Sequence, residues 1–328
     1  MGKKNNAVCR LLKRPKYFAD LINGTYFEGD QVLLPEQLED VDRVYDESHM
    51  GRDGKVSDRE RIRDVVKKVY RNKHYAIVAV ENQDELNFIM PFRCMEYDVE
   101  DYRRQLVELK LKHKERGDLK TSAELLSGIK EDEKLHPVVT ILFFHGKKKQ
   151  WTTNRELHDM LDFTGNEYLR SMTANYKMNI ITPEDLNEDN FRTNLREVIG
   201  MLKRRDSKKE MRKYITQNKE RFKKVETEAY QAITVLVGDN AMENIKPEVV
   251  AVDGEECVNM CIAFEEMIEE EREEVLKKNI KSFITVFSQE GAEKEFIISK
   301  IVKIFSVTKT IAEYHYDSYV NKSDLAIV

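Results

Sequence analysis

Cysteine is scarce: four residues, Cys9, Cys94, Cys257 and Cys261, are scattered over 328 positions. That excludes a disulfide framework and fits a reducing compartment, so a cytoplasmic location is expected. Proline and glycine are few, at 6 and 13, which excludes collagen-like repeats and long structureless linkers. No run of about 18 apolar residues occurs, so no membrane-spanning helix is expected. The basic start Met1-Gly2-Lys3-Lys4 is followed by no apolar stretch and does not read as a secretory signal. There is no glycine-rich phosphate loop with a Walker lysine, which argues against an NTPase. The seven histidines lack metal-ligand spacing, and no serine or cysteine carries a nucleophile signature. Cys257 and Cys261, four apart on an expected helix, have no second Cys/His pair nearby and read as core packing rather than zinc ligands.

What is present is charge, at 35%, alongside 41% hydrophobic residues, the balance of a folded chain rich in amphipathic helices. The net charge of −5 is unevenly spread. Residues 1–16 carry Lys3, Lys4, Arg10, Lys13, Arg14 and Lys16 and no acid, whereas Glu265 to Glu274 form an acidic run. The basic end reads either as a solvated, frayed terminus or as a phosphate-contacting arm. A helix over 16–23 ending at Gly24, an exposed loop over 42–58 and a long helix over 91–117 are expected from caps, turns and periodicity. Residues 137–146 form the strongest strand, continuous and apolar as if buried on both faces. A short helix over 154–161 and a second strand over 176–182 follow, and after about residue 187 only helices are expected. That order predicts an α/β fold with a mixed sheet flanked by helices and an all-helical C-terminal region. The domain division expected is an α/β core over 1–186, a helical extension over 187–250, and an acidic then amphipathic helical region over 251–328. The last helices are candidates for homo-oligomer contacts.

The organising stretch runs from Arg61-Ile62-Arg63-Asp64 to Glu81-Asn82-Gln83. Two segments rich in Val, Ile and Tyr flank a short polar join, Arg71-Asn72-Lys73-His74, which predicts a β-hairpin. If the turn centres between Asn72 and Lys73, Asp64 faces Glu81 across the antiparallel pair, with Cβ atoms within roughly 5 Å. Gln83 shares the Glu81 face, because strand side chains alternate. Two carboxylates so placed repel unless a positive charge separates them, and a hard divalent cation with oxygen ligands is the natural candidate. Asp20 borders the apolar face of the first expected helix. Arg93 lies in the first turn of the long helix, where a cation is disfavoured by the helix dipole, so it is a candidate to neutralise carboxylates or contact a phosphate.

The runs Tyr17-Phe18-Ala19-Asp20-Leu21-Ile22-Asn23-Gly24, Arg63-Asp64-Val65-Val66-Lys67, Val80-Glu81-Asn82-Gln83 and Met90-Pro91-Phe92-Arg93-Cys94 resemble the recombination-promoting nuclease and transposase-like family of the PD-(D/E)XK nuclease superfamily. The resemblance implies a restriction-endonuclease-like core and metal-dependent cleavage of DNA. It implies Asp64 and Glu81 as metal ligands, for Mg²⁺ with Mn²⁺ or Ca²⁺ as alternatives, and Gln83 as the third catalytic position, where the superfamily has lysine. Asp20 and Arg93 would be supporting residues, and Lys13, Arg14, Lys16 and Lys67 the DNA-contact candidates. Glutamine can hydrogen-bond a water or phosphate but carries no charge. A DNA-binding or oligomeric assembly protein on the same fold, with little or no cleavage, is therefore the alternative.

Overall fold

The computed structural model describes residues 3–41, 44–50, 56–71, 74–238, 247, 249–252 and 254–324. The chain opens with helices α1 (Lys3–Lys13) and α2 (Pro15–Tyr26) and continues through strands β1 (Leu38–Asp40), β2 (Val44–Met50), β3 (Val56–Ile62), β4 (Val65–Arg71) and β5 (His74–Gln83). Helices α3 (Met90–Arg116) and α4 (Ser122–Ser127) lead to β6 (Val138–Phe144), and α5 (Glu167–Met172) leads to β7 (Asn179–Ile181). Next come α6 (Leu195–Arg204), α7 (Lys208–Gln217), α8 (Lys219–Phe222), β8 (Val225–Glu226), α9 (Thr227–Val237), β9 (Val249–Val252) and β10 (Glu255–Val258). The last three helices are α10 (Met260–Gln289), α11 (Lys294–Phe305) and α12 (Lys309–Asp324).

The principal sheet has the order β1-β4-β5-β6-β7. Its first two pairings are antiparallel and its last two parallel, the mixed sheet the sequence predicts. Val65 faces Val80 and Arg71 faces His74, the register expected of the hairpin; the turn residues themselves lie outside the described residues. β6 is buried from Thr140 to Phe144, which explains its unbroken apolar run. On one side Leu142 and Phe144 pack with Met90, Cys94 and Trp151. Elsewhere Val66, Ile77 and Ala79 form a second cluster with Val41 and Val138 at its edge.

Several expectations are corrected. The loop read over 42–58 contains β2 and the start of β3, which pair antiparallel; their many charged residues hide the alternation that marks a strand. Strands also persist after residue 187, in a small sheet of order β8-β10-β9 whose members are two to four residues long, too short for a periodic signal. Cys257 lies in β10 and Cys261 in α10, so the two do not share a helix face. The helix read over 154–161 is a single 3-10 turn at Leu157–Met160. α2 runs through Gly24 instead of ending there, and a Cβ at that position would overlap the Phe191 ring, so Gly24 serves close approach rather than capping. The basic N-terminus is no frayed arm: Val8, Leu11 and Leu12 give α1 a buried face, and α1 packs on α9.

The contacts divide the chain into two compact units, Met1–Gly238 with Val249–Val258, and Asp239–Glu248 with Asn259–Val328. Residues 187–238 therefore belong with the α/β core rather than forming an extension of their own. In the second unit Ile280, Ile284, Ile297, Ile298, Ile301 and Ala312 build a core shared by α10, α11 and α12.

Candidate active site

Asp64 precedes β4 by one residue and Glu81 lies near the end of β5, so the register that pairs Val65 with Val80 brings the two acids to adjoining positions. Both are buried. Asp64 Oδ2 accepts the backbone N–H of Asn82 at 2.7 Å, and Glu81 Oε1 accepts from Arg63 Nε at 3.1 Å. Burial pushes the Glu81 carboxyl up to about 7; the Arg63 charge opposes this and the Asp64 charge adds to it. Burial also raises Asp64, against hydrogen bonds from Asn82 and the attraction of Arg93. Two neighbouring, desolvated carboxyls are reluctant to ionise together.

Gln83 ends β5 half-buried, and its carbonyl accepts the N–H of His145 at 2.9 Å. Arg93, in the first turn of α3, is close enough to act on both Asp64 and Glu81, while its Nη2 donates to the Tyr97 hydroxyl at 3.2 Å. The structure thus gathers Asp64, Glu81 and Arg93, with Gln83 two residues along the strand from Glu81.

Arg63 completes the floor of the site and was not singled out by sequence reasoning. Its side chain has no exposed surface. Besides Glu81, it reaches Asp101 Oδ2 at 2.5 Å, donates to the Thr140 hydroxyl, and lies 3.7 Å from Asp98 Oδ1. Asp98 in turn accepts from the hydroxyls of Thr140 and Tyr176. The signal available in the sequence was Asp98, Asp101 and Gln105, at helical spacing on one face of α3. That face is buried, whereas the apolar Leu111 of the same helix is exposed. α3 turns a polar stripe inward because an arginine waits beneath it.

Asp20, expected as a supporting residue, is buried and hydrogen-bonded to the segment that leads into α6. Its carboxylate accepts the backbone N–H groups of Arg192 and Thr193 at 2.8–3.1 Å and the Thr193 hydroxyl at 2.6 Å, which anchors the approach to α6. The basic residues expected to meet DNA are also largely engaged within the protein. Arg14 pairs with Glu226, Glu228 and Glu255, and Lys16 with Glu226 and Glu255. Lys67 is buried and bonds to Asp40 and to the carbonyl of Lys13. Of the four, only Lys13 is exposed. These partners lie too far along the chain for local charge patterns to reveal them.

Among the described residues no helix is long and apolar enough to cross a membrane. No curated protein and no solved structure matches the chain. The family model described as "Putative transposase, YhgA-like" matches residues 58–232. That span holds β4 to β7, the Asp64–Glu81 pair, Arg63 and its network, and Arg93. It covers more than half of the sequence, and the chain belongs to the YhgA-like transposase family.

Proposed function

We propose that the protein is a divalent-metal-dependent DNA endonuclease that hydrolyses phosphodiester bonds at the Asp64–Glu81 pair, in the service of DNA recombination or a mobile element. The observation that carries this reading is the pair itself: two buried carboxyls adjoining at a strand end, with Glu81 pushed up to about 7. Such a pair is discharged by a cation. Membership of a transposase family makes DNA the expected substrate.

The donor set fits a hard cation that keeps much of its water. Among the described residues no cluster of three or more His, Cys, Asp and Glu side chains is arranged for a metal. An ion here would be held by Asp64 and Glu81, with water completing its shell, which suits Mg²⁺. When bound, it supplies a more acidic water and neutralises charge gathering on the phosphate oxygens. Arg63 holds Glu81 in one orientation from below, and the Asn82 N–H holds Asp64. The Gln83 amide can orient a water or a phosphate oxygen by hydrogen bonds, without the charge a lysine would bring.

The test is incubation of supercoiled plasmid with the protein and Mg²⁺ or Mn²⁺. Nicking is expected, and Asp64→Ala and Glu81→Ala are each expected to abolish it. Nicking that survives both substitutions undiminished would remove the site assignment. The uncharged Gln83 favours a second reading, DNA binding without cleavage, which salt-dependent binding and intact plasmid under every divalent metal would select.

A further inference from the structure

The turn between β5 and α3 shows large apolar side chains to water. Phe88 is 68% exposed, Ile89 52% and Phe92 41%, while their neighbours Met90 and Cys94 are buried against Leu142, Phe144 and Trp151. This turn is held in place. The Asn154 side-chain amide donates to the Phe88 carbonyl at 2.8 Å, and the Ile89 N–H donates to Asn87 Oδ1 at 3.2 Å. Arg93 follows directly, half-buried, with the Tyr97 hydroxyl as its side-chain hydrogen-bond partner. Among the described residues no carboxylate lies within ion-pair distance of its guanidinium, although its charge reaches Asp64 and Glu81. One short segment therefore carries two exposed aromatic residues and, next to Phe92 in sequence, a cation whose charge acts on the carboxylate pair.

Exposed apolar surface of this kind marks a binding site. We propose that the segment is a strand-gripping lip: Arg93 holds a backbone phosphate, and Phe88 and Phe92 stack on unpaired bases, so that the DNA entering the site is single-stranded or locally unpaired. Base faces are hidden inside a duplex and become available to an aromatic ring only when the strand is opened. The adjoining arginine supplies charge complementarity to the phosphate of the same strand. A second copy of the chain is a poorer occupant, since a specific protein interface buries about 800 Å² on each partner, far more than three side chains present. The inference rests on the nuclease reading for its ligand class and goes beyond it by naming the form of the DNA.

Binding of fluorescein-labelled oligonucleotides in metal-free buffer tests this without any cleavage. The wild type is expected to bind a single strand more tightly than the duplex of the same sequence. Phe88→Ala with Phe92→Ala is expected to weaken single-strand binding about tenfold or more while changing duplex binding little. Arg93→Ala is expected to weaken both, and to reduce the dependence of log affinity on log salt by about 0.7 for the single strand. Because all three side chains reach solvent, an unchanged circular dichroism spectrum is expected for each variant. The lip is refuted if the phenylalanine pair leaves single-strand affinity unaltered, if duplex binds more tightly, or if the same pair dissociates a dimer of the wild type. Plasmid nicking that depends on Asp64 and Glu81, together with any of those results, removes the lip alone. A wild type that binds neither oligonucleotide removes the lip and the DNA reading together.

Discussion

Arg63 Nε lies 3.1 Å from Glu81 Oε1, and the arginine side chain that makes this contact has no exposed surface. The same guanidinium reaches Asp101, itself fully buried, so one cation serves two desolvated acids on different elements, β5 and α3. Arg63→Met would strand both. Removing one partner of a buried ion pair typically costs about 3–5 kcal/mol. A matching fall in the urea midpoint is expected, and a midpoint equal to that of wild type would show that the network contributes nothing to stability.

The Glu81 carboxyl titrates about 7 in the folded protein, above its ordinary value of 4.5. A raised acid means that the folded state holds its proton more firmly than the unfolded chain does. Its contribution to stability is fully present below about 4.5 and is lost as pH rises through about 7. In metal-free buffer, wild type should lose stability relative to Glu81→Gln across that window, measured as the difference between their urea midpoints. A difference that stays constant from pH 5 to pH 8, to within about 0.3 kcal/mol, would contradict the burial that raises Glu81.

His113, near the end of α3, has a carboxylate at each ring nitrogen: Asp118 at 2.6 Å and Glu133 at 2.7 Å. Those two hydrogen bonds raise the imidazole above its ordinary value of 6.5. The resulting stability is complete below that value and is lost as pH rises through the folded one, where a single remaining proton can serve only one acid. Thermal melts of wild type and His113→Asn should therefore differ more near pH 6 than near pH 9. The opposite order would mean that the ring is neutral in the folded protein.

Asp20→Ala tests whether that acid anchors structure or takes part in chemistry. It would leave the N–H groups of Arg192 and Thr193 without their acceptor, at a cost of about 1–3 kcal/mol. The urea midpoint should fall. Nicking per folded molecule should remain near wild type, whereas a loss as deep as that of Asp64→Ala would return Asp20 to the active site.

The hairpin was legible because two β-branched segments and a short polar join leave few registers, and one register puts Asp64 beside Glu81. β6 was legible because burial on both faces writes an unbroken apolar run. Arg63 was not, since a buried polar network has no period and its partners Asp101 and Thr140 are 38 and 77 residues away. Arg14 looked free for the same kind of reason: its acids arrive more than 200 residues later, at Glu226, Glu228 and Glu255. β2, β3 and the small sheet of β8, β9 and β10 escaped notice because charge and brevity erase alternation.

The ion pairs from Arg14 and Lys16 to Glu255, and the pairing of β8 with β10, have a consequence for synthesis. A nascent chain that has emerged only as far as residue 238 already contains the Asp64–Glu81 hairpin and the Glu226 and Glu228 partners of Arg14, but it lacks the Glu255 carboxylate that Arg14 and Lys16 share and the strand that pairs with β8. The first unit closes when residues 249–258 leave the ribosome, so the last part of the chain to join it bolts down the first.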